Sequence, residues 1–210
     1  MITKTFLTSI ERYYTDKLEQ YGPSARGVDW NGSESQQLRF DQLLKVCDLP
    51  GIVSLNDYGC GYGALVDHLL KKNLSFTYCG YDISPAMINA ANELHKDVSA
   101  CSFSDTVAML TPADYTVASG IFNVKLEKTD SEWRDYIVDT LEIIASLSKK
   151  GFSFNCLSRY SDPEYQRSYL YYADPLFLFD LCKTRYSRFV SLIHDYPLYE
   201  FSILVFMENT

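Results

Sequence analysis

The sequence predicts an α/β fold: a three-layer sandwich with helices on both faces of a mostly parallel seven-stranded sheet that has an antiparallel C-terminal hairpin strand. Two observations predict it. From residue 52 onwards, short apolar runs alternate with segments of helical periodicity, the order typical of βαβ units and a parallel sheet. The last two strand-like runs, Phe189–His194 and Tyr199–Met207, are joined by residues 195–198 alone. Since parallel neighbours need a crossover of a dozen or more residues, these two runs must pair antiparallel.

Two helices are predicted before the alternating part begins. Residues 3–20 carry apolar side chains at helical spacing, with lysines and glutamates between them. A loop rich in Gly, Pro and Ser follows. Ser33, with Gln36 three residues later, has the capping-box pattern of a helix start. Pro50 and Gly51 predict the end of that second helix.

The alternating part supplies the remaining elements. Five further strands are predicted at Ile52–Tyr58, Phe76–Tyr81, Ser99–Phe103, Tyr115–Ser119 and Phe152–Leu157. Helices are predicted at Ala64–Lys72 and Ser84–Leu94, with a single helical turn at Thr106–Leu110. A long helix begins at the capping-box pair Thr129 and Glu132, and Lys149, Lys150 and Gly151 are predicted to end it.

Composition excludes several kinds of function. The net charge of −8 and the pI near 4.9 lack the excess of Lys and Arg that a phosphate backbone requires, so nucleic acid is not an expected partner. The six cysteines form no C-x-x-C pair and the three histidines have no metal-ligand spacing, which predicts reduced thiols and no metal. No secretory pattern and no membrane-spanning apolar stretch is present, so we expect a cytoplasmic protein that does not bind membranes. The 17 Tyr and 12 Phe indicate either an aromatic core or an apolar pocket with polar tips.

A glycine-rich loop, Asp57–Gly63, separates the first predicted strand of the alternating part from its helix. Glycines there let the backbone approach a ligand closely, and the helix start offers free N–H groups. Asp82 ends the next predicted strand, about 20 residues further on, where an acid is placed to accept hydrogen bonds from both ribose hydroxyls of an adenosine. The pair predicts a site for an adenosine-containing cofactor.

Two cofactors fit these residues. Gly59, Gly61 and Ala64 also satisfy the dinucleotide pattern G-x-G-x-x-[GA], which keeps an NAD(P)-dependent oxidoreductase or epimerase as an alternative. Asp57, directly before the glycines, favours S-adenosylmethionine (SAM), because its carboxylate would repel a diphosphate but attract the ammonium and sulfonium groups of SAM. The C-terminal hairpin is likewise unexpected for the dinucleotide-binding strand order.

At these residues the chain resembles the class I SAM-dependent methyltransferases. Asp57-x-Gly59-x-Gly61-x-Gly63 resembles their motif I, residues 80–87 resemble their second motif, and the resemblance covers roughly residues 50–207. It implies transfer of a methyl group to a small-molecule acceptor by in-line displacement, with S-adenosylhomocysteine (SAH) as product. It also implies one domain, in which residues 1–50 are a helical cap over the active site and residues 51–210 are the SAM-binding core. The pattern [DNS]-P-P-[YFW] is absent, which speaks against methylation of nucleobase or amide nitrogens.

The resemblance implies the following cofactor contacts. Asp57 would reach the methionine amino group, Asp82 the ribose, and Ile83 and Met87 the two sides of the adenine. The other matched positions are Gly59, Cys60 and Gly61 at the methionine part, Ser104 and Asp105 at the adenine amino group, and Ser119 and Gly120 beside the transferable methyl. Gly63, the last glycine of motif I, is a further cofactor-binding position.

Three residues are catalytic candidates. His194 ends a predicted strand and would act as a base for a hydroxyl acceptor, or is a solvent-exposed turn residue. Arg159 would bind a carboxylate or phosphate of an anionic acceptor, or pairs with Asp162. Tyr172 would line the acceptor pocket or pack in the core.

Trp30 and Arg39 are further candidates in the cap. A non-catalytic partner protein with the same fold is the other alternative. The sequence indicates neither the acceptor atom nor an oligomeric state.

Overall fold

The fold was analysed on a computed structural model, which describes residues 4–48 and 51–207. Its helices are α1 (Lys4–Tyr21), α2 (Ser33–Leu43), α3 (Ala64–Lys71), α4 (Pro85–Leu94), α5 (Asp130–Ser146) and α6 (Pro175–Arg185). Its strands are β1 (Ile52–Tyr58), β2 (Ser75–Tyr81), β3 (Cys101–Ser104), β4 (Ala113–Ala118), β5 (Ser148–Leu157), β6 (Phe189–Ile193) and β7 (Glu200–Phe206). Short 3₁₀ turns lie at Arg26–Val28, Leu44–Val46, Val107–Met109 and Pro163–Tyr165.

The seven strands form one sheet in the order β3-β2-β1-β4-β5-β7-β6. The strands β1 to β5 pair in parallel, whereas β7 is antiparallel to both β5 and β6. This confirms the predicted fold class, including the antiparallel C-terminal hairpin. In such a sheet, ligands bind beyond the carboxyl ends of the strands where the strand order reverses, and here the reversal is between β1 and β4.

Two apolar clusters fill the spaces on the two sides of the sheet. The larger one contains Trp133, Ile137 and Leu141 of α5 and Phe154 of β5, all fully buried. The smaller one joins α2 and α3 to β1 and β4 through side chains that include Phe40, Leu43, Leu65, Leu69, Leu55 and Val117.

The predicted capping signal of the second helix fails in the structure. Helix α2 starts at Ser33, but its N-cap is Gly32 and no side chain caps it, so the predicted capping box is wrong there. The Gln36 side chain accepts a hydrogen bond from Tyr62 instead. Pro50, which was predicted to stop that helix, lies outside the described residues.

The predicted end of α5 is also wrong. The helix ends at Ser146, and residues 149–151 belong to β5, where Gly151 pairs with Tyr115 and Phe206. Strand pairing outweighs the local signal of basic residues followed by glycine. At its other end the same helix has the predicted capping box, in which Thr129 and Glu132 exchange hydrogen bonds.

In the part of the chain that the structure describes, no helix is both long and apolar enough to cross a bilayer. All six cysteines are free thiols.

Candidate cofactor site

The glycine-rich loop lies at the carboxyl ends of β1 and β2. Gly59, Gly61 and Gly63 all have positive φ angles (87°, 54° and 84°), a conformation that other residues rarely adopt. The amides of Gly59 and Cys60 both donate to the carbonyl of Tyr81, at 2.7 and 2.9 Å. These bonds fix the loop against the end of β2, beside Asp82.

Asp82 is held by the backbone around it. Its Oδ2 accepts from the Gly61 amide and its Oδ1 from the Ser84 amide, each at 2.9 Å. Burial raises the pKa of Asp82 to about 6, against the opposing effect of these two hydrogen bonds. The carboxylate therefore has a fixed orientation at the cavity wall.

Asp57 is the other acid of the site and is buried, with 3% of its surface exposed. The hydroxyl of Tyr78 donates to its Oδ2 at 2.6 Å. Burial raises the pKa of Asp57 to about 7; the Tyr78 hydrogen bond lowers it, and the charge of Asp82 raises it further. Two acids in one enclosed space favour a positively charged ligand.

These two pKa values predict how the stability of the cofactor-free protein depends on pH. In the unfolded chain both carboxyls lose their protons near pH 4, whereas the folded protein holds those of Asp82 and Asp57 up to about pH 6 and about pH 7. Over that interval the native state binds more protons, so a rise in pH favours unfolding. The two carboxyls make their full contribution to the free energy of unfolding below about pH 4. This contribution is lost as the pH rises through about 6 for Asp82 and about 7 for Asp57.

We expect urea unfolding of Asp57→Asn to show a smaller loss of stability between about pH 5 and pH 8 than the wild type, by a few kcal/mol. The exposed Asp105→Asn is the matched control and should keep the wild-type slope. An Asp57→Asn slope equal to that of the wild type would contradict a buried, protonatable Asp57.

The N-terminal helices contact this loop region directly. Thr15 of α1 shares a hydrogen bond with Ser84 at 2.8 Å, which ties α1 to the start of α4. Tyr13 and Lys17, also on α1, each contact a carboxylate oxygen of Asp29 at 2.6 Å. These contacts hold α1 and the segment that follows it beside the glycine-rich loop.

Together these segments line a cavity of about 90 Å³. Nine of the twelve cofactor residues predicted from the sequence line it: Asp57, Gly59, Cys60, Gly61, Asp82, Ile83, Met87, Ser119 and Gly120. Trp30, one of the two further cap candidates, lines it as well.

The other three predicted cofactor residues do not line the cavity. Gly63 begins α3, and a Cβ atom there would lie 2.8 Å from the ring of His95, so its role is in the turn. Ser104 accepts from the amide of Thr106, and Asp105 accepts from the hydroxyl of the same threonine. Both face an exposed turn after β3.

The three catalytic candidates also lie outside the cavity. His194 is exposed and packs near Tyr160 and Phe201. Arg159 and Tyr172 line a shallow surface groove instead.

The predicted partner of Arg159 is wrong. It forms its ion pair with Asp174, at 2.7 Å, rather than with Asp162. Asp162 accepts from the Tyr199 hydroxyl instead.

The sequence did not predict much of the cavity wall. The additional lining residues are Ile10, Tyr14, Val28, Gln36, Phe40, Tyr58, Tyr62, Ala64, Tyr81, Ile121 and Tyr136. Tyr58, Tyr62 and Tyr81 stand next to motif residues, so adjacency was an available signal. Tyr14 and Gln36 gave none, because the face that a cap helix turns towards a cavity is decided by long-range packing.

The chemistry of the wall fits SAM. Among the described lining residues there are two acids and no lysine or arginine, which suits the ammonium and sulfonium groups of SAM and opposes a diphosphate. The Ser119 hydroxyl is buried and has no hydrogen-bond partner within residues 4–48 and 51–207. A buried polar atom of this kind at a cavity wall suits a ligand with polar groups.

Comparison with known proteins shows similarity to methyltransferases. A model of the "Methyltransferase domain" matches residues 57–150. A Mycobacterium tuberculosis protein named "Putative methyltransferase Rv1506c" is 51% identical over 162 residues, which cover 77% of this chain and 98% of that protein.

Solved structures show the same fold. Magnesium protoporphyrin IX methyltransferase (ChlM) from Synechocystis PCC 6803 with bound SAM has a TM-score of 0.66 at 15% identity, covering 99% of each chain. The DhpI–SAH complex has a TM-score of 0.67 at 14% identity, covering 99% of this chain and 100% of that one.

The chain belongs to the class I SAM-dependent methyltransferases. It is an enzyme, and its cofactor is SAM. The oxidoreductase and the non-catalytic alternatives are therefore set aside.

Proposed function

We propose that this methyltransferase methylates a small, uncharged and largely apolar acceptor inside the cavity of Asp57 and Asp82. The observation that carries the proposal is the described lining, in which tyrosines and aliphatic side chains surround two acids and no cation. A carboxylate or phosphate on the acceptor would be repelled by both acids. The anionic acceptor considered from Arg159 is not part of the proposal, because that side chain is exposed and paired with Asp174.

Within this proposal the cofactor contacts follow the lining residues. Asp82 would hold the ribose hydroxyls, and Asp57 would face the methionine amino group. Ile83 and Met87 would flank the adenine. Ser119 and Gly120, just after β4, would lie beside the transferable methyl.

Residues 1–50 would act as the cap and residues 51–210 as the core. The cap assignment is supported by Ile10, Tyr14, Val28 and Trp30, which all line the cavity.

The protein has little covalent chemistry to perform in this proposal. When bound, SAM supplies a methyl group already activated on a sulfonium. The cavity walls then need to align the acceptor atom in line with that methyl group and to exclude water. Tyr14, Phe40 and Tyr136 are suited to this, because all three add aromatic surface to the cavity wall and the two tyrosines also carry a polar hydroxyl. No general base is assigned.

The size of the acceptor is also supported by the enclosure. Because the glycine-rich loop and the N-terminal helices both line the cavity, a macromolecular acceptor could reach it only by inserting a side chain or a base. The structural neighbour ChlM is named for a small-molecule acceptor, magnesium protoporphyrin IX. At 15% identity that likeness shows only the fold, so the proposed size of the acceptor is supported by the cavity.

The experiment uses SAM labelled in its methyl group. The enzyme is incubated with the low-molecular-weight fraction of a cell extract and, separately, with the macromolecular fraction. We expect label in neutral, solvent-extractable products of the first incubation and none in acid-precipitable material of the second. Label in nucleic acid or protein, or only in anionic metabolites, would overturn the proposal. Asp82→Ala, run in parallel, identifies label transfer that does not depend on this site.

A further inference from the structure

A buried chain of polar contacts lies directly behind the wall that contains Trp30. Arg39 of α2 donates to both carboxylate oxygens of Glu200, through Nε at 2.8 Å and Nη2 at 2.7 Å. Asn155 of β5 donates a short bond from Nδ2 to Glu200 Oε2, and its Oδ1 accepts from the Gly120 amide at 2.8 Å. This chain of polar contacts therefore connects helix α2 to the backbone that borders the cavity.

Trp30 lies between Arg39 and Gly120, the two ends of this chain of polar contacts. The guanidinium carbon of Arg39 lies 3.7 Å from the centre of a Trp30 ring, which is a close cation–π contact. A Cβ atom added at Gly120 would come within 2.3 Å of the indole, so the ring lies directly on the glycine backbone. Arg39 fixes the ring and Asn155 fixes the peptide on which the ring lies.

Stability alone does not account for the ion pair. Arg39 and Glu200 are 6% and 1% exposed, and removing two such charges from water costs about as much as their attraction returns. Apolar side chains of similar volume usually fill such a space equally well or better. Unlike an apolar pair, the ion pair gives the Arg39 side chain a defined orientation. Its planar guanidinium binds both oxygens of Glu200, and the Trp30 ring stacks on the face of that plane.

The position of the Trp30 ring indicates why a fixed orientation matters. Gly120 follows the end of β4, next to Ser119, and both line the cavity with Trp30. We propose that Trp30 is the specificity-determining wall of the acceptor side of this cavity, and that Arg39, Glu200 and Asn155 are positioning residues that hold its indole against Gly120. This inference rests on the proposed function, since it assigns one wall of the same cavity.

Tryptophan fluorescence tests the positioning part without any acceptor. The chain has two tryptophans, and the other one, Trp133, is fully buried with its Nε1 donating to the Phe122 carbonyl. Acrylamide quenching of the wild type, corrected with Trp30→Phe as the blank, therefore reports Trp30. Arg39→Lys keeps the charge but loses the planar stack and the two-point contact. We expect it to raise the quenching constant of Trp30 at least twofold, while SAH affinity, measured by calorimetry, changes by less than about threefold.

The double variant Arg39→Met with Glu200→Gln removes both charges and serves where Arg39→Lys fails to fold. It should show the same increase in quenching. An unchanged quenching constant in a folded variant would overturn the positioning role.

The specificity part is tested with the labelled-SAM incubation of the small-molecule fraction. Trp30→Phe keeps a flat ring on Gly120 and should change the product pattern less than Trp30→Ala does. Trp30→Ala removes the wall and should spread label over products that the wild type does not form. The same product pattern in Trp30→Ala, with SAH still bound, would overturn this inference and leave the proposed function intact. If the wild type transfers no label to small molecules, the proposed function fails instead, and the quenching results still decide the role of Arg39.

Discussion

Asp82→Ala is expected to weaken SAH binding about 100-fold or more. The variant removes a charged acceptor proposed to hold two ribose hydroxyls, and charge-assisted hydrogen bonds contribute roughly 1.5–3 kcal/mol each. It also removes the Oδ2 contact to the Gly61 amide and the Oδ1 contact to the Ser84 amide, which keep the glycine-rich loop beside the cavity. A combined loss of about 3 kcal/mol corresponds to about 100-fold in affinity. Isothermal titration calorimetry with SAH measures it.

The matched control is Asp105→Ala. It removes the same charge from the end of the next strand, but Asp105 faces an exposed turn and does not line the cavity. Its SAH affinity should stay within about threefold of the wild type, since surface charges at a distance are screened by salt. Equal losses in both variants would show that net charge matters rather than Asp82. Unchanged binding in a folded Asp82→Ala would remove Asp82 from the proposed site.

Arg39→Met is expected to lower the free energy of unfolding by about 3–5 kcal/mol, the usual cost of leaving one charge of a buried pair without its partner. Glu200 is 1% exposed and would keep only the Asn155 amide as a hydrogen-bond donor. Urea unfolding near neutral pH measures the change. The double variant Arg39→Met with Glu200→Gln should recover at least half of the loss, because the neutral amide still accepts from Asn155.

A surface pair provides the comparison for that result. Lys96 and Glu93 are also in contact, at 2.9 Å, but both side chains are exposed. Lys96→Met should leave the urea midpoint of unfolding unchanged, because an exposed ion pair contributes little to stability. A double variant no more stable than Arg39→Met alone would contradict the idea that the unpaired charge of Glu200 causes the loss.

Much of the fold was predictable because its signals are local. Alternating apolar runs, the short connection between the last two strands and the capping box at Thr129 each depend on neighbours in sequence. The antiparallel hairpin is present, although its connection spans residues 194–199 rather than the predicted 195–198. The failures occur where a distant segment decides. Residues 149–151 resemble a helix end, yet they pair with β4 and β7 as part of β5.

The contrast between local signals and distant packing also explains which site residues were predictable. Asp57, Asp82 and the glycines are found from sequence because strand ends and glycine turns fix their positions. Tyr14 and Gln36 line the cavity through helices whose orientation depends on contacts far along the chain, such as Thr15 to Ser84. His194 ends its strand at the edge of the sheet where the cavity lies, but β6 is the outermost strand, so its end is remote from the β1–β4 reversal.

A crystal structure of the enzyme with SAH tests the central claim most directly, namely that the cavity between the glycine-rich loop and the N-terminal helices is the cofactor site. We predict ribose hydroxyls within about 2.6–3.2 Å of the Asp82 carboxylate, the amino group facing Asp57 and the sulfur next to Gly120. SAH bound in the groove of Arg159 and Tyr172, or bound in the cavity with its ribose away from Asp82, would contradict the account.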